Sequence, residues 1–471
     1  MKKRLVILAA VLSVIGLGAG VANAAGVDFG LFVQRRLADQ SMKEFGFNGP
    51  LAASSGASIT QAEAQTDPSR LATVAHSLHV RVVSAGVAPP VLDMSAFWPN
   101  AENPEWLITC NESGPTDPGL VRINIATGAS ETIVTGTTAC DPVRATPWGT
   151  IILAEEAGGG PNGGRVYELI DPLGTTGVTL DRATGTFTGG TGAANLTVRP
   201  ALGRLSFEGL ALYGSGVTYY GDESRPSNGV AGGAYFKFIP TTLRAPDAGP
   251  ITSLGQSPYA AGAIFGLHVG GTDNGQGTEL GQGRWIPIPP APDPDLRTQA
   301  AALRLTGYYR PEDIDIDRGA EANGNVRFCG NNTGNDGELL WGETVCILDG
   351  TLAGASANTS VPEVQRFVPG SPEITMPDNI AYQPGRGNWI IHEDANTEPP
   401  QGPKNNDLWA CLPDGADPDL QSDGCVRAAT LNDTNAEWTG GIFDASGEHF
   451  YVSVQHNVTG AGTILDIAGW R

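Results

Sequence analysis

The chain has 471 residues and a formal net charge of −22 at pH 7. An acidic surface repels the phosphates of nucleic acids and of anionic lipids, so this charge argues against both as partners. With 64 glycines, 34 prolines and 17% charged residues, the composition is typical of many short strands joined by turns.

The first 24 residues have the pattern of a secretory signal peptide. Residues 2–4 are basic, residues 5–21 are almost wholly apolar, and residues 22–24 (Ala-Asn-Ala) form a small-x-small cleavage signal. Removal of this segment would leave a charge of −25, because it carries three positive charges and no negative one. We therefore predict a periplasmic or secreted protein. No later stretch has the length and apolar character of a membrane span.

Residues 25–70 are predicted to be an N-terminal extension with a peripheral helix over residues 27–48. From residue 71 onward the sequence changes to short alternating runs, such as residues 77–84 and 449–454, followed by Gly, Asp, Asn or Pro. Strands at this spacing fit a propeller, a sandwich or a solenoid. The length favours an all-β propeller with long loops over residues 71–471.

Six cysteines suit an oxidising compartment. Cys329 with Cys346, and Cys411 with Cys425, have spacings that suit local disulfides. The two remaining cysteines, Cys110 and Cys140, could form a third disulfide. A disulfide sulfur cannot act as a thiolate ligand, so the pairing of these two decides whether Cys140 is available to a metal.

Four constellations place carboxylates beside glycine, proline or an aromatic residue. One feature is unusual: Glu155 and Glu156 are adjacent, and like charges repel unless a cation lies between them. Carboxylate oxygens suit hard cations such as calcium, and a thiolate with carboxylates suits iron. The constellations lie at residues 140–156, 207–237, 310–332 and 377–394, the last extended by residues 436–440 and 455–456.

These runs resemble, in order, the signature of PhoX-type bacterial alkaline phosphatases. The resemblance covers about 70% of the chain, from Cys140 to the C-terminus. The matching runs are Thr-Pro-Trp-Gly-Thr (146–150) with Glu155-Glu156, Phe-Glu-Gly (207–209) with Gly-Asp-Glu (221–223), Arg-Pro-Glu-Asp (310–313), Pro-Asp-Asn (377–379), Ala-Glu (436–437), Thr-Gly (439–440) and Gln-His (455–456).

The resemblance implies a six-bladed propeller whose central channel holds iron and several calcium ions. It implies that Cys140, Glu208 and Glu312 are iron ligands, and that the two glutamates can also bridge to calcium. Arg310 would clamp the phosphate, since a planar guanidinium matches two phosphate oxygens. Arg310 and Glu312 are thus the implied catalytic pair. Implied candidates for the calcium shell are Glu155, Glu156, Asp378, Asn379, Glu393 and Glu437.

The chain departs from the family where residues 141–145 replace a glycine pair, and Arg144 there is a candidate extra anion-binding group. The predicted function is a monomeric phosphatase that cleaves small phosphate monoesters. A related calcium-dependent hydrolase, such as a phosphodiesterase or lactonase, and a non-catalytic calcium-stabilised binding propeller are the alternatives. Arg310 and Glu312 favour an enzyme, whereas a disulfide at Cys140 would favour the alternatives.

Overall fold

The computed structural model describes residues 37–471 except 38, 55, 227–231, 271–278, 396–401, 403 and 416–418. The predicted signal peptide (1–24) and the first part of the predicted helix over residues 27–48 lie outside the described residues. Within them, helices are all too short or too polar to cross a membrane.

The described chain is built of sheets around a channel, antiparallel except where β10 (Val178–Asp181) pairs with β6 (Ser130–Thr135), and the prediction of an all-β propeller is confirmed. Its strands, numbered in chain order, are listed from the channel outward. The first sheet contains β3 (Leu92–Trp98), β4 (Trp106–Asn111), β5 (Pro118–Asn124), β6 (Ser130–Thr135), β10 (Val178–Asp181) and β11 (Thr186–Thr188). The second contains β7 (Cys140–Ala145), β8 (Ile151–Glu155), β9 (Val166–Leu169) and β12 (Leu196–Val198).

The third sheet contains β13 (Phe207–Leu212), β14 (Thr218–Asp222), β15 (Tyr235–Pro240), β16 (Gly262–Val269) and β17 (Gly281–Pro287). It joins the fourth through β17 and β21; the fourth contains β18 (Pro311–Ile316), β19 (Asn325–Asn332), β20 (Glu343–Thr351) and β21 (Glu363–Pro369). The fifth contains β22 (Pro377–Tyr382), β23 (Trp389–Glu393), β24 (Asp407–Cys411), β25 (Cys425–Leu431) and β1 (Ala72–Val74). The last contains β26 (Glu437–Phe443), β27 (His449–Gln455), β28 (Gly462–Ala468) and β2 (His79–Ala88).

The inner strands β3, β7, β13, β18, β22 and β26 each contact the next, and β26 contacts β3, so they close a ring. The strands beside the channel are almost wholly buried, which explains continuous apolar runs such as Ile-Ile-Leu-Ala in β8. Closure also uses the N-terminal strand, because β2 pairs along β28 in the sheet that ends the chain, with Val82 opposite Leu465.

The N-terminal extension packs on the fifth sheet and on this closing sheet. Its helices are α1 (Ser41–Glu44) and α2 (Gln61–Thr66), and α2 begins with a capping box between Thr60 and Glu63. Where the structure describes it, the predicted helix over residues 27–48 ends earlier than residue 48, because helical structure stops at Glu44 and Gly46 has a φ of +96°. Phe45 and Phe47 are fully buried, and Phe47 packs against Trp470, so this part of the extension is anchored in the core.

The remaining helices are short connectors between strands. The α-helices are α3 (Leu296–Leu303), α4 (Arg318–Ala322) and α5 (Leu352–Ser356). The 3₁₀ turns span Pro68–Leu71, Ala193–Asn195, Pro200–Leu202, Leu254–Gln256, Pro258–Ala260 and Asp336–Glu338.

Three disulfides use all six cysteines. Two of them join cysteines that face each other on neighbouring antiparallel strands, Cys329 with Cys346 and Cys411 with Cys425, as the spacing predicts. The third joins Cys110 at the end of β4 to Cys140 at the start of β7, and therefore links the first sheet to the second.

Candidate metal centre

Each inner strand carries an acidic side chain at the same end of the channel. The acid is the second residue of five inner strands and the first residue of β26. In order around the channel these residues are Asp93, Asp141, Glu208, Glu312, Asp378 and Glu437.

A break in strand pairing follows the acid in the first five of these strands. In β7, Cys140 pairs with Glu155 and Val143 with Leu153, so that Asp141 stands at an irregularity between two paired positions. The same irregularity, with paired positions three residues apart on either side of it, occurs in β3, β13, β18 and β22. Bulges of this kind bend a strand and redirect a side chain. The repeated step is the local feature that turns these acids toward the channel.

The Phe-Glu-Gly run at 207–209 illustrates how tightly the inner strands approach. A Cβ on Gly209 would lie 2.0 Å from the backbone nitrogen of Ile314 on β18. Only glycine fits there without moving β18, so the glycine keeps Glu208 and Glu312 on adjacent strands at close range.

Three further acids lie directly after the second strand of a sheet. Glu112, Glu156 and Asp394 each follow directly the last residue of β4, β8 and β23. We call these three and the six inner-strand acids together the acidic ring. Its oxygens form four overlapping trios, and within each trio the ligand atoms lie within 4.8 Å of one another. The trios are Asp93–Glu112–Asp141, Asp141–Glu156–Glu208, Glu208–Glu312–Asp378 and Asp378–Asp394–Glu437.

Burial and mutual repulsion make these carboxyl groups hard to ionise without added positive charge. Burial, with repulsion from neighbouring acids, raises the pKa of Asp141, Glu208 and Asp378 well above the ordinary value. The same causes raise the pKa of Glu156 to about 10. Within the described residues, one buried oxygen of Asp93 and one of Asp141 have no hydrogen-bond donor. Cations inside the ring would satisfy these oxygens and offset the repulsion.

Arg310 lies against the ring and is held by two carboxylates. Its Nε donates to Glu223 Oε1 at 2.5 Å, and its Nη2 is 3.0 Å from Glu312 Oε1. Attraction to Glu312 is the largest influence on the pKa of this guanidinium and raises it. Burial lowers the pKa, and the contact with Glu223 raises it. Arg310 has a φ of +59°, a conformation that non-glycine residues rarely adopt and that clusters at functional sites. Thr333 steadies the same corner by donating to Glu312 Oε1 at 2.6 Å.

The structure brings five of the predicted metal-ligand residues into the ring and places four elsewhere. Glu156, Glu208, Glu312, Asp378 and Glu437 belong to the ring. Asn379 is buried beside it, and its Oδ1 accepts the backbone N–H of Gly440 at 2.8 Å; its assignment as a ligand stays a prediction.

The assignment of Cys140 as an iron ligand is corrected. Cys140 is bonded to Cys110, so its sulfur carries no thiolate charge to give to a metal. The cysteine count left open a disulfide between Cys110 and Cys140, and the structure contains it.

The assignments of Glu155 and Glu393 to the calcium shell are also corrected. Glu155 accepts hydrogen bonds from Arg182 Nε at 2.7 Å and Tyr167 Oη at 3.0 Å. Glu393 accepts them from Lys404, from Trp409 Nε1 and from the backbone N–H groups of residues 375 and 407. Each is the strand residue just before a ring acid, and successive side chains on a strand point to opposite faces. Both therefore point away from the ring.

Sequence reasoning did not assign Asp93, Glu112, Asp141 or Asp394 to the site, nor Glu223 as the partner of Arg310. A sequence pattern that could have identified some of them is an acid directly after the second strand of a sheet. It occurs in four sheets, at Glu112, Glu156, Glu223 and Asp394. Arg144, the candidate extra anion-binding group, is instead hydrogen-bonded to Asp313 and to the carbonyl of Ile314 within the channel.

The comparisons with known proteins identify one family. The family described as "Alkaline phosphatase PhoX" matches residues 107–457, which are 351 of the 471 residues. The chain belongs to this family, and the prediction that it is an enzyme of the alkaline phosphatase class is confirmed. No curated protein sequence matches the chain.

Among solved structures, the chain is similar to Pseudomonas fluorescens PhoX in complex with vanadate, a transition state analogue. The TM-score is 0.61 at 14% identity, over 89% of this chain and 98% of that chain. This likeness supports the propeller fold. The chain also matches the PQQ-bound aldose sugar dehydrogenase of Streptomyces coelicolor, with a TM-score of 0.41 at 12% identity over 84% of this chain and 99% of that chain. A score that low supports no further comparison.

Neighbouring glutamates should differ in their effect on calcium binding. Glu156→Gln removes a ring carboxylate, so we expect calcium affinity to fall about tenfold or more, measured by isothermal titration calorimetry. Glu155→Gln is the matched control. It should lower the free energy of unfolding by about 1–3 kcal/mol, because Arg182 loses a charged partner, while calcium affinity stays unchanged. An equal loss of calcium affinity in both variants would contradict the ring.

The stability of protein dialysed free of divalent cations should fall as pH rises. Burial raises the pKa of Glu312 to about 8 and that of Glu156 to about 10. A carboxyl group whose pKa is higher in the folded than in the unfolded state stabilises the fold at low pH, and this contribution is lost as pH rises through the folded-state pKa. We therefore expect the Tm to decrease between about pH 5 and pH 9, and calcium to raise it most at pH 9. A Tm without this pH dependence would contradict the account.

Proposed function

We propose that this member of the PhoX alkaline phosphatase family is exported and hydrolyses small phosphate monoesters beside hard cations held by the acidic ring. The observation that carries the proposal is the contact of Arg310 with Glu312, which brings a phosphate-binding side chain to the ring. The family match covers the strands that carry all ring residues except Asp93.

The donor atoms of the ring favour calcium. The ring offers carboxylate oxygens from nine residues, and hard cations such as calcium bind several such oxygens with flexible geometry. A thiolate, the donor that would favour a softer metal, is excluded at Cys140 by its disulfide. We therefore propose calcium as the principal cofactor, and iron only if carboxylates alone hold it.

Cations in the ring would also resolve the charge problem of this protein. A phosphate ester is anionic, and so are both the whole chain and the ring. When bound, the cations would neutralise charge that gathers on the phosphoryl oxygens and lower the pKa of a water molecule that attacks phosphorus. The residues Glu208, Glu312 and Asp378 would hold them beside Arg310.

Arg310 is the residue that we propose binds the phosphate. Its guanidinium is fixed on one side by Glu223 and on another by Glu312, and its backbone N–H donates to the carbonyl of Ser224 at 3.1 Å. A guanidinium held in this way presents its remaining N–H groups to phosphate oxygens with little loss of side-chain entropy on binding. Glu223 acts here as a positioning residue.

The disulfide at Cys140 supports a second candidate within the same chemistry. If the missing thiolate abolishes an iron-dependent step, the same Arg310 and acidic ring would serve a calcium-dependent hydrolase of phosphodiesters. The two candidates differ in whether the substrate phosphate carries one organic group or two.

Export and a monomeric state remain proposals. The pattern of residues 1–24 and three disulfides support an oxidising compartment outside the cytoplasm.

Glu312→Gln tests the proposed site. The substitution removes a carboxylate that belongs to the ring and contacts Arg310, so kcat/KM for p-nitrophenyl phosphate should fall by about 10²–10³-fold in calcium-containing buffer. The measurement is release of p-nitrophenolate by the purified variant, compared with wild type.

Glu168→Gln is the matched control for loss of a buried carboxylate. Glu168 is fully buried outside the ring, where Arg199 Nε donates to it at 2.6 Å. This variant should unfold at lower temperature yet keep its kcat/KM. Retention of full activity by Glu312→Gln would place the site elsewhere, and wild-type cleavage of only bis(p-nitrophenyl) phosphate would select the phosphodiesterase candidate.

A further inference from the structure

A cavity of about 430 Å³ opens beside the Arg310 corner, on the end of the fourth sheet that carries Glu312. We call it the Trp341 pocket and define it by Tyr309, Asn332, Leu339, Leu340, Trp341 and Arg366. We propose that it receives the organic group of an aromatic phosphate monoester whose phosphate is bound by Arg310. This inference rests on the proposed function and specifies the substrate class.

The pocket and the ring share one piece of backbone. Tyr309 precedes Arg310, and its carbonyl accepts the N–H of Gly334 at 3.1 Å. Asn332 faces Pro311 across β18 and β19, and the next residue, Thr333, contacts Glu312. The pocket wall is therefore formed by the residues next in the chain to Arg310 and Thr333, and the proposal places the ester oxygen of a phosphate bound by Arg310 at this wall.

The wall facing solvent is apolar, which is unusual for an acidic protein surface. Leu339 is 61% exposed and Leu340 is 45% exposed, and Trp341 follows them. Adjacent exposed apolar side chains on the rim of a cavity mark a binding surface more often than single ones do. Aromatic and aliphatic walls with a few polar groups are the usual lining of a small-molecule pocket, and this cavity lies in their usual size range.

Backbone hydrogen bonds tie the apolar segment to its surroundings. Asn335 and Leu340 exchange two backbone hydrogen bonds, at 2.7 and 2.9 Å, and Met376 N donates to the carbonyl of Trp341 at 2.9 Å. Leu339 has a φ of +61°, a conformation that costs free energy in leucine, yet the turn retains it. A surface fixed in this way binds a planar ring without paying for loop ordering.

Polar groups at the rim distinguish the pocket from a simple hydrophobic patch. Tyr309 Oη donates to Glu338 at 3.2 Å, the guanidinium of Arg225 lies 5.7 Å from the centroid of the Tyr309 ring, and Arg366 Nε donates to Glu343 at 2.6 Å. Tyr309 and Trp341 line the cavity, and aromatic side chains offer offset or edge-to-face contacts to a phenyl group, each worth about 0.5–1.5 kcal/mol beyond the buried area.

Two inert ligands test the pocket without turnover. Isothermal titration calorimetry in calcium-containing buffer would compare phenylphosphonate with methylphosphonate, which share the charged group and differ in the organic one. We expect wild type to bind phenylphosphonate about tenfold more tightly. In Trp341→Ala and Leu340→Ser this preference should fall to about twofold or less. The second variant guards against a folding defect in the first.

Val361→Ser is the matched control, because Val361 is 62% exposed and precedes β21, at the opposite end from the pocket residue Pro369. It should keep the full preference for phenylphosphonate. Equal affinities of the two phosphonates in wild type, or a preference that survives in both pocket variants, would overturn the inference. Hydrolysis of p-nitrophenyl phosphate is scored separately: its absence, with the phenyl preference intact, would overturn the proposed function and leave the pocket assigned.

Discussion

The constraint on which the site depends is the packing of nine carboxylates, in four overlapping trios, around the mouth of a channel. Burial alone raises the pKa of such groups, and charge repulsion from neighbouring acids raises it further. The fold tolerates them because protons or cations supply positive charge, and Arg310 supplies one fixed charge at Glu312 and Glu223. Metal binding, protonation and stability are therefore linked in this protein. The same linkage is the reason that we propose the acidic ring as a site for hard cations instead of an ordinary acidic surface.

The propeller produces this ring by repeating one local arrangement. An acid at the start of an inner strand is followed by a pairing irregularity, and the residue after the second strand adds another side chain at the same mouth. The fourth and last sheets vary the arrangement. In the fourth sheet, Thr333 is the residue after the second strand, and it supports Glu312. In the last sheet, that residue is His456, which lies 3.3 Å from Glu437. Arg310 and the Trp341 pocket lie at the fourth sheet, where the substrate phosphate and its organic group would meet.

Much of the fold was predictable, because short alternating runs separated by glycine and proline indicate an all-β repeat architecture. The ring was predictable only where a recognisable run marked it, as at Glu208 and Glu312. Asp93 and Glu112 are isolated acids whose proximity to Asp141 arises from the packing of β3 and β4 against β7 of the next sheet, which no local pattern reports. In the pair Glu155-Glu156, the alternation of side chains along a strand points Glu155 toward Arg182 and Glu156 toward the ring. The strand register determines which of the two faces the ring, and the sequence does not report that register. The pairing of Cys140 was equally undetermined, because it depends on how β4 and β7 lie together.

The central claim is that carboxylates, without a thiolate, hold hard cations in this channel. Elemental analysis by inductively coupled plasma mass spectrometry tests it most directly. The protein would be purified without chelators, equilibrated with equal micromolar calcium and iron, and passed through a desalting column. The account predicts that more than one calcium ion per chain is retained. Retention of iron alone, or of no metal at all, would contradict it.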